Sequence, residues 1–430
     1  MNIIYLHTHD MGRWIEPYGA PVPAPNMMEF ANNSVMFRNA YCAGPTCSPS
    51  RTGLLSGMAP HTVGMFGLAH RGFQWNDYET HLSCFLKRNG YETALCGIQH
   101  EAPHASMLGY EIILGDKNIH MRKSIEEDRT WWDIHNAKSA AEYLREPKTK
   151  PFFLSMGLFY PHRNFPKIEE DIKPDYVMTP FMIADTPGNR ADTAGYLSAV
   201  RVADKCVGII MEALVETGLD QETMVILTTD HGIAYPNMKC NLTDSGIGVA
   251  LMLQFPGNKR QGEVVDSLVS QLDLYPTICD WLGIKQPDWL QGLSLLPLLN
   301  KETDIVRNEL FAEVNYHASY EPMRCVRTLR YKYIVYYEEP NIVLTNIDGS
   351  HPKSFLIDID WMNLRPKQTK AQLYDLFIDP LERTNLIDES NYSHIREELH
   401  QKLVQWMEQT EDPLLDGPIL APEGSTVTPR

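Results

Sequence analysis

The sequence predicts an α/β protein: a mostly parallel sheet packed between helices, followed by a smaller α+β unit with an antiparallel sheet. Three observations carry this. Short apolar runs alternate with helical patterns through the first part of the chain. Four of those runs end in ionisable residues, as strands do when they feed one polar edge of an open sheet. Later runs alternate like strands of a small antiparallel sheet. At 430 residues the chain exceeds one compact unit, and it divides into residues 1–305, residues 306–411 and an extended tail over 412–430.

In order, Asn2–Leu6 is a buried strand running into His7, Thr8, His9 and Asp10. Glu92–Gly97 runs into Ile98, Gln99 and His100. Phe152–Tyr160 runs into Pro161, His162 and Arg163, and Met224–Thr229 into Asp230, His231 and Gly232. A single strand-end histidine is ordinarily a solvated loop residue. Four such ends on one edge would build one site. In the second unit, Glu309–Val314 and Tyr331–Tyr337 read as strands. Ser393–Glu408 reads as a helix whose Leu399, Leu403 and Trp406 stripe packs on a core. From Asp412 the chain is rich in Pro and Gly and reads as a tail or an arm that wraps a partner.

Composition narrows the function. Apolar content of 43% with 22% charged residues is that of a globular enzyme. A net charge of −17 argues against nucleic acid as a partner, and an anionic substrate would need locally gathered positive charge. No apolar run is long enough to span a membrane. Met1 leads straight into the Asn2 strand rather than a signal peptide, and the eight cysteines are scattered without close pairs. Buried thiols in the cytoplasm are therefore expected, or a periplasmic or secreted protein if a leader has been removed.

His9-Asp10 and Asp230-His231 are adjacent pairs, each followed within two residues by a glycine, Gly12 or Gly232. Glycine allows a sharp turn that leaves the preceding side chains free to converge on an ion. Either pair alone could instead cap a helix or make an Asx-turn. Between them lies Cys47-Ser48-Pro49-Ser50-Arg51, continuing Thr52-Gly53-Leu54-Leu55-Ser56-Gly57. Alone, it is compatible with a simple helix start bearing Ser and Pro in its first turn.

Together these residues resemble the sulfatases of the alkaline-phosphatase superfamily, over nearly the whole chain. The cysteine stretch matches the sulfatase signature. Thr228–Gly232 with Tyr235-Pro236, Lys239, Asn241-Leu242 and Asp244–Gly246 resembles the second metal segment and its sulfate-contacting cation. Val269–Thr277 resembles the helix closing the main domain, and Leu373–Leu376 with Asp379-Pro380, Glu382 and Asn385-Leu386 the C-terminal signature. Tyr316-His317 through Glu321–Arg324, with Gly232–Pro236 leading to Lys239, is similar to the sulfamidase branch, the heparan N-sulfatases.

The resemblance implies an alkaline-phosphatase-like fold and hydrolysis of sulfate esters or sulfamates of a sulfated, N-sulfoglucosamine-like saccharide. It implies that a formylglycine-generating enzyme oxidises Cys47 to an aldehyde whose hydrate attacks sulfur. Arg51 would orient that hydrate, His100 take its proton, His162 serve the leaving group and Lys239 hold the sulfate. His9, Asp10, Cys47, Asp230 and His231 would bind one divalent ion, calcium first, with magnesium and manganese as alternatives. His317 and Arg324 would stand at the pocket rim against the sugar.

Two departures qualify the match. His9 stands where the family usually has an acid, which softens the ion site. Ile98 stands where the family pattern has a lysine, with Lys123, Arg163 and His104 as candidate replacements. These departures keep two other readings open: a phosphonate monoester or phosphodiester hydrolase, and a non-catalytic glycan-binding relative.

Overall fold

The computed structural model describes residues 1–116, 127–340, 343–364 and 368–430. Its first eight strands are β1 (Asn2–Thr8), β2 (Val35–Tyr41), β3 (Glu92–Gly97), β4 (Ile112–Leu114), β5 (Phe152–Gly157), β6 (Thr223–Thr229), β7 (Leu251–Gln254) and β8 (Val264–Ser270). They form one sheet in the order β4-β3-β5-β1-β6-β7-β2-β8. Only β7 runs antiparallel to its neighbours.

Alternation explains why these segments read as continuous apolar runs. Ile3 and Tyr5 of β1, Phe153 of β5 and Met224 and Ile226 of β6 enter one core. Ile4 and Leu6, Leu154 and Met156, and Val225 and Leu227 enter the other. Both faces of the sheet are thus covered, as a parallel sheet requires. The Cys47–Ser56 and Leu274–Leu282 helices lie on the first side, and Glu127–Arg145 and Pro187–Glu216 on the second.

The four strands with ionisable ends are consecutive neighbours, β3-β5-β1-β6, all parallel. Gly97, Gly157, His7 and Thr228 lie side by side in register, so the residues after them leave from one edge.

A second sheet holds β9 (Glu309–Tyr316), β10 (Tyr320–Thr328), β11 (Tyr331–Tyr336) and β12 (Ala371–Asp375), antiparallel in the order β12-β11-β10-β9. The Ser393–Gln409 helix buries Leu399, Leu403 and Met407 against it, and Trp406 stacks on Phe311 at 4.9 Å. Leu310, Ala312 and Leu373 belong to the first core of the main sheet, so the two sheets share one apolar interior.

One expectation is corrected here. Residues 320–324 form the start of β10, a central strand, and its register shifts between Tyr320 and Met323, around Pro322. Arg324 is therefore not at a pocket rim. It is fully buried, donates Nε and Nη2 to the Asp412 carboxylate, and donates Nη1 to the carbonyls of Val314 and Met323. The segment after Asp412 is extended and packs along its own chain. Leu414 and Ile419 are buried, Thr426 N donates to Arg71 O, and Thr428 N donates to Ala318 O. All eight cysteines are buried and free. Among the described residues, no helix is long and apolar enough to cross a membrane.

Candidate active site

The β1 and β6 loops lock together at the sheet edge. Asp10 adopts a φ of 53°, and its N–H donates to Asp230 Oδ1 at 2.8 Å. Gly12 N donates to His231 O at 2.8 Å. A Cβ on Gly232 would sit 1.9 Å from Ser245 O, and one on Gly12 would sit 3.1 Å from Gly232 Cα, so the two glycines permit the approach.

His9, Asp10, Cys47, Asp230 and His231 are all buried, with one donor atom each within 4.8 Å of all the others. His9 Nδ1 lies 2.9 Å from Asp10 Oδ1 and 3.0 Å from Asp230 Oδ2. Burial alone would push His9 down, but the Asp230 and Asp10 carboxylates hold its pKa above the ordinary value. His231 Nδ1 lies 2.9 Å from the carbonyl of Gly232, which assigns it the ring proton. Its Nε2 is then a bare lone pair, 3.4 Å from Asp10 Oδ1 and without a hydrogen-bond partner. A buried lone pair facing carboxylates lacks a donor; a divalent cation supplies what the cluster is missing. The residues fit such an ion.

Cationic groups stand on either side. Lys239 Nζ lies 2.9 Å from Asp10 Oδ2 and 2.8 Å from Asp348 Oδ2. Burial opposes its charge, but these two carboxylates keep it protonated. Arg51 is fully buried behind the cluster, donating Nε and Nη2 to Asp230 Oδ2 at 3.2 and 3.0 Å. Its Nη1 lies 2.7 Å from His7 Nδ1. Cys47 opens the Cys47–Ser56 helix, every residue of which is buried. Burial pushes its thiol up, against the opposing pull of Lys239.

His100 Nδ1 lies 3.1 Å from His9 Nε2, and His162 Nε2 lies 3.8 Å from Asp10 Oδ2. Burial holds His162 down at about 4 although Asp10 opposes it, and burial together with His9 lowers His100. Both imidazoles are neutral at pH 7.

These positions match one sulfatase feature after another, and comparison with known proteins agrees. The sulfatase family model covers residues 1–284. The chain belongs to the sulfatase family. The model for the C-terminal region of N-sulphoglucosamine sulphohydrolase also matches, over residues 238–348. Human N-sulphoglucosamine sulphohydrolase is 27% identical, over 98% of this chain and 92% of that protein. An ulvan-active sulfatase of Formosa agariphila is 26% identical, over 99% and 84%. Among solved structures, BT4656 in complex with its substrate D-glucosamine-2-N,6-O-disulfate superposes with a TM-score of 0.72 at 19% identity, covering 97% of this chain and 99% of that one. The phosphonate monoester hydrolase of Agrobacterium radiobacter also scores 0.72 at 19% identity, covering 100% and 99%. The fold is alkaline-phosphatase-like, and the chain is a sulfuric ester or sulfamate hydrolase.

The cluster at the sheet edge gathers Cys47, Arg51, His100, His162, Lys239 and the His9-Asp10 and Asp230-His231 pairs, while Arg324 stands apart. His317, in the turn between β9 and β10, is half-buried, and its Nδ1 has no hydrogen-bond partner. Ile98 is a buried core residue, and neither Arg163 nor His104 takes the place of a lysine there. Arg163 is clamped on Asp192 and stacked over Phe165 at 4.3 Å. His104 is an exposed residue preceding a short helical turn, and Lys123 lies outside the described residues.

Four functional neighbours escape a reading of the sequence. Asp348 reaches Lys239 from a segment with no signature. His7 points to the Arg51 side of β1, where strand alternation could have placed it. Asp133, on the Glu127–Arg145 helix, accepts Phe159 N and Tyr160 N at 2.7 and 2.9 Å and so fixes the loop bearing His162. Arg129, one turn earlier, lies over the Phe159 ring at 4.4 Å with Nη1 buried and unpartnered.

Proposed function

We propose that the chain hydrolyses a sulfate ester or sulfamate on an N-sulfoglucosamine-like saccharide, using formylglycine at position 47 and one divalent ion. The observation that carries this is the meeting of Cys47, at the start of its helix, with the Asp10, Asp230, His9 and His231 cluster within 4.8 Å. A buried thiol whose pKa is raised is protonated at neutral pH and is a poor nucleophile. The aldehyde hydrate and the ion would supply the attacking oxygen and polarise the sulfate. Lys239 holds sulfate oxygens as a buried point charge already paired with Asp10. Arg51 fixes Asp230 through two hydrogen bonds and adds positive charge beside Cys47. His100, neutral and backed by His9, accepts a proton in the release step, and His162 serves the leaving oxygen or nitrogen. Calcium is the first assignment, with magnesium and manganese as alternatives.

Peptide mass spectrometry of the Cys47 segment, on protein made beside a formylglycine-generating enzyme, tests the nucleophile. Hydrolysis of N-sulfoglucosamine, an aryl sulfate and an aryl phosphonate by that preparation tests the reaction. Aldehyde at position 47 with desulfation supports the proposal; preference for the phosphonate, or unmodified cysteine with no turnover, overturns it.

A further inference from the structure

Lys239 bridges two carboxylates with different surroundings. Asp10 is buried in the ion cluster, whereas the Asp348 side chain is 25% exposed on the outer side. Asp348 follows a short turn, Leu344–Asn346, that is tied to the β9–β10 turn. Asn346 Oδ1 accepts from Ala318 N and Ser319 N at 2.9 and 2.8 Å, while its Nδ2 donates to Glu321 Oε2 at 2.8 Å. Thr345 and Ser319 share a hydroxyl contact at 2.5 Å. These ties fix Asp348 relative to His317, which opens the same turn.

The pair is matched in chemistry as well as position. Burial, then Lys239, lowers His317 to about 3, so the ring is neutral and its unpartnered Nδ1 offers one hydrogen bond. Burial opposes ionisation of Asp348, but Lys239 holds its carboxyl at about 2, so it is a permanent acceptor and a permanent negative charge. Lys239 is shared with Asp10 and the neighbouring Arg163 is committed to Asp192, so the Asp348 charge is only partly neutralised. A neutral imidazole beside a carboxylate suits sugar hydroxyls, and a fixed negative charge repels a second sulfate.

We propose that Asp348, held in place by Asn346 and standing near His317, is the specificity-determining residue of the pocket, selecting a saccharide that presents hydroxyls rather than a second sulfate beside the scissile group. The inference rests on the proposed saccharide substrate, and the test keeps the two separable. Binding of glucosamine N-sulfate and glucosamine N,6-O-disulfate is measured by calorimetry on metal-loaded Cys47→Ala protein, which needs no turnover. The same comparison is made with Asp348→Asn and Asp348→Glu added, and turnover of both sugars is followed separately in the matured enzyme.

The expected result is at least tenfold tighter binding of the monosulfated sugar, about 1.4 kcal/mol. Asp348→Asn should shrink that ratio about tenfold by strengthening binding of the disulfate, and Asp348→Glu should retain most of it. Retained binding of the monosulfated sugar shows that the variant is folded. An unchanged ratio in Asp348→Asn, or a parental preference for the disulfate, overturns the inference. Discrimination without turnover overturns only the proposed reaction, and no binding of either sugar overturns both.

Discussion

Replacing Arg51 with methionine separates two roles for a buried arginine. The guanidinium is fully buried, makes two hydrogen bonds to Asp230 Oδ2 at 3.0 and 3.2 Å and meets His7 at 2.7 Å. Methionine fills similar volume and provides none of these contacts. Asp230 then keeps its charge in a low-dielectric site without its cation, a change that costs about 3–5 kcal/mol for a broken buried pair. With an m-value of about 2–3 kcal/mol per molar urea, the unfolding midpoint should fall by at least about 1 M. A pH signature accompanies it. Burial raises the Asp230 pKa, but His231, His9 and Arg51 hold it well below the ordinary value in the fold. Its stabilising contribution is therefore full above the unfolded pKa of about 4 and is lost as pH falls through the depressed folded value. Removing Arg51 raises that folded value, so Arg51→Met should lose stability at a higher pH than the parent. The assay is urea unfolding from pH 3 to 7, in chelator and with metal. An inactive Arg51→Met that unfolds at the parental midpoint at every pH would refute the reasoning, because it would place the guanidinium on the reacting group instead.

Four further outcomes are expected. Lys239→Ala should lower kcat/KM by about 10²- to 10³-fold, the usual loss for one preorganised charge contact, measured with an aryl sulfate. His162→Ala should slow sulfamate or alkyl sulfate substrates by about 10²-fold or more while sparing activated aryl sulfates, because only poor leaving groups need its proton. Asp133→Asn should cost about 1–3 kcal/mol in unfolding and reduce turnover, since one of two backbone N–H groups then faces an amide donor. Chelation should lower Tm, and adding a divalent ion should restore it, in Cys47→Ala as well as in the parent; no response in either would refute the ion site.

The reach of the sequence followed from what its pattern encodes. β1, β3, β5 and β6 were legible because strands buried on both faces are apolar runs, and their ends carried His9, His100, His162 and Asp230. Adjacency of those four strands places the ends on one edge, which sequence could only assume. β10 was hidden because Glu321, Pro322, Arg324 and Arg327 break its apolar pattern, although Glu321, Arg324 and Arg327 are buried and their charges are met inside the fold. Arg324 illustrates the cause: Asp412, its partner, lies 88 residues away, and no local signal joins them. Asp348 and Asp133 were missed for the same reason, since each acts through a contact made only by the tertiary fold.

Burial of the whole Cys47–Ser56 helix also sets an order of events in the life of the chain. The Cys47 side chain lies beneath the β1 and β6 loops, and the Ser50 hydroxyl is bonded to the carbonyl of Asp230. No enzyme can draw an extended peptide around Cys47 into its own cleft once those bonds have formed. If the proposed formylglycine forms at Cys47, its conversion would therefore belong to the nascent or unfolded polypeptide, in competition with collapse of the sheet. On that proposal the fraction of active molecules would be fixed by a kinetic race during synthesis, and faster folding or scarce maturation enzyme would leave well-folded protein permanently inert.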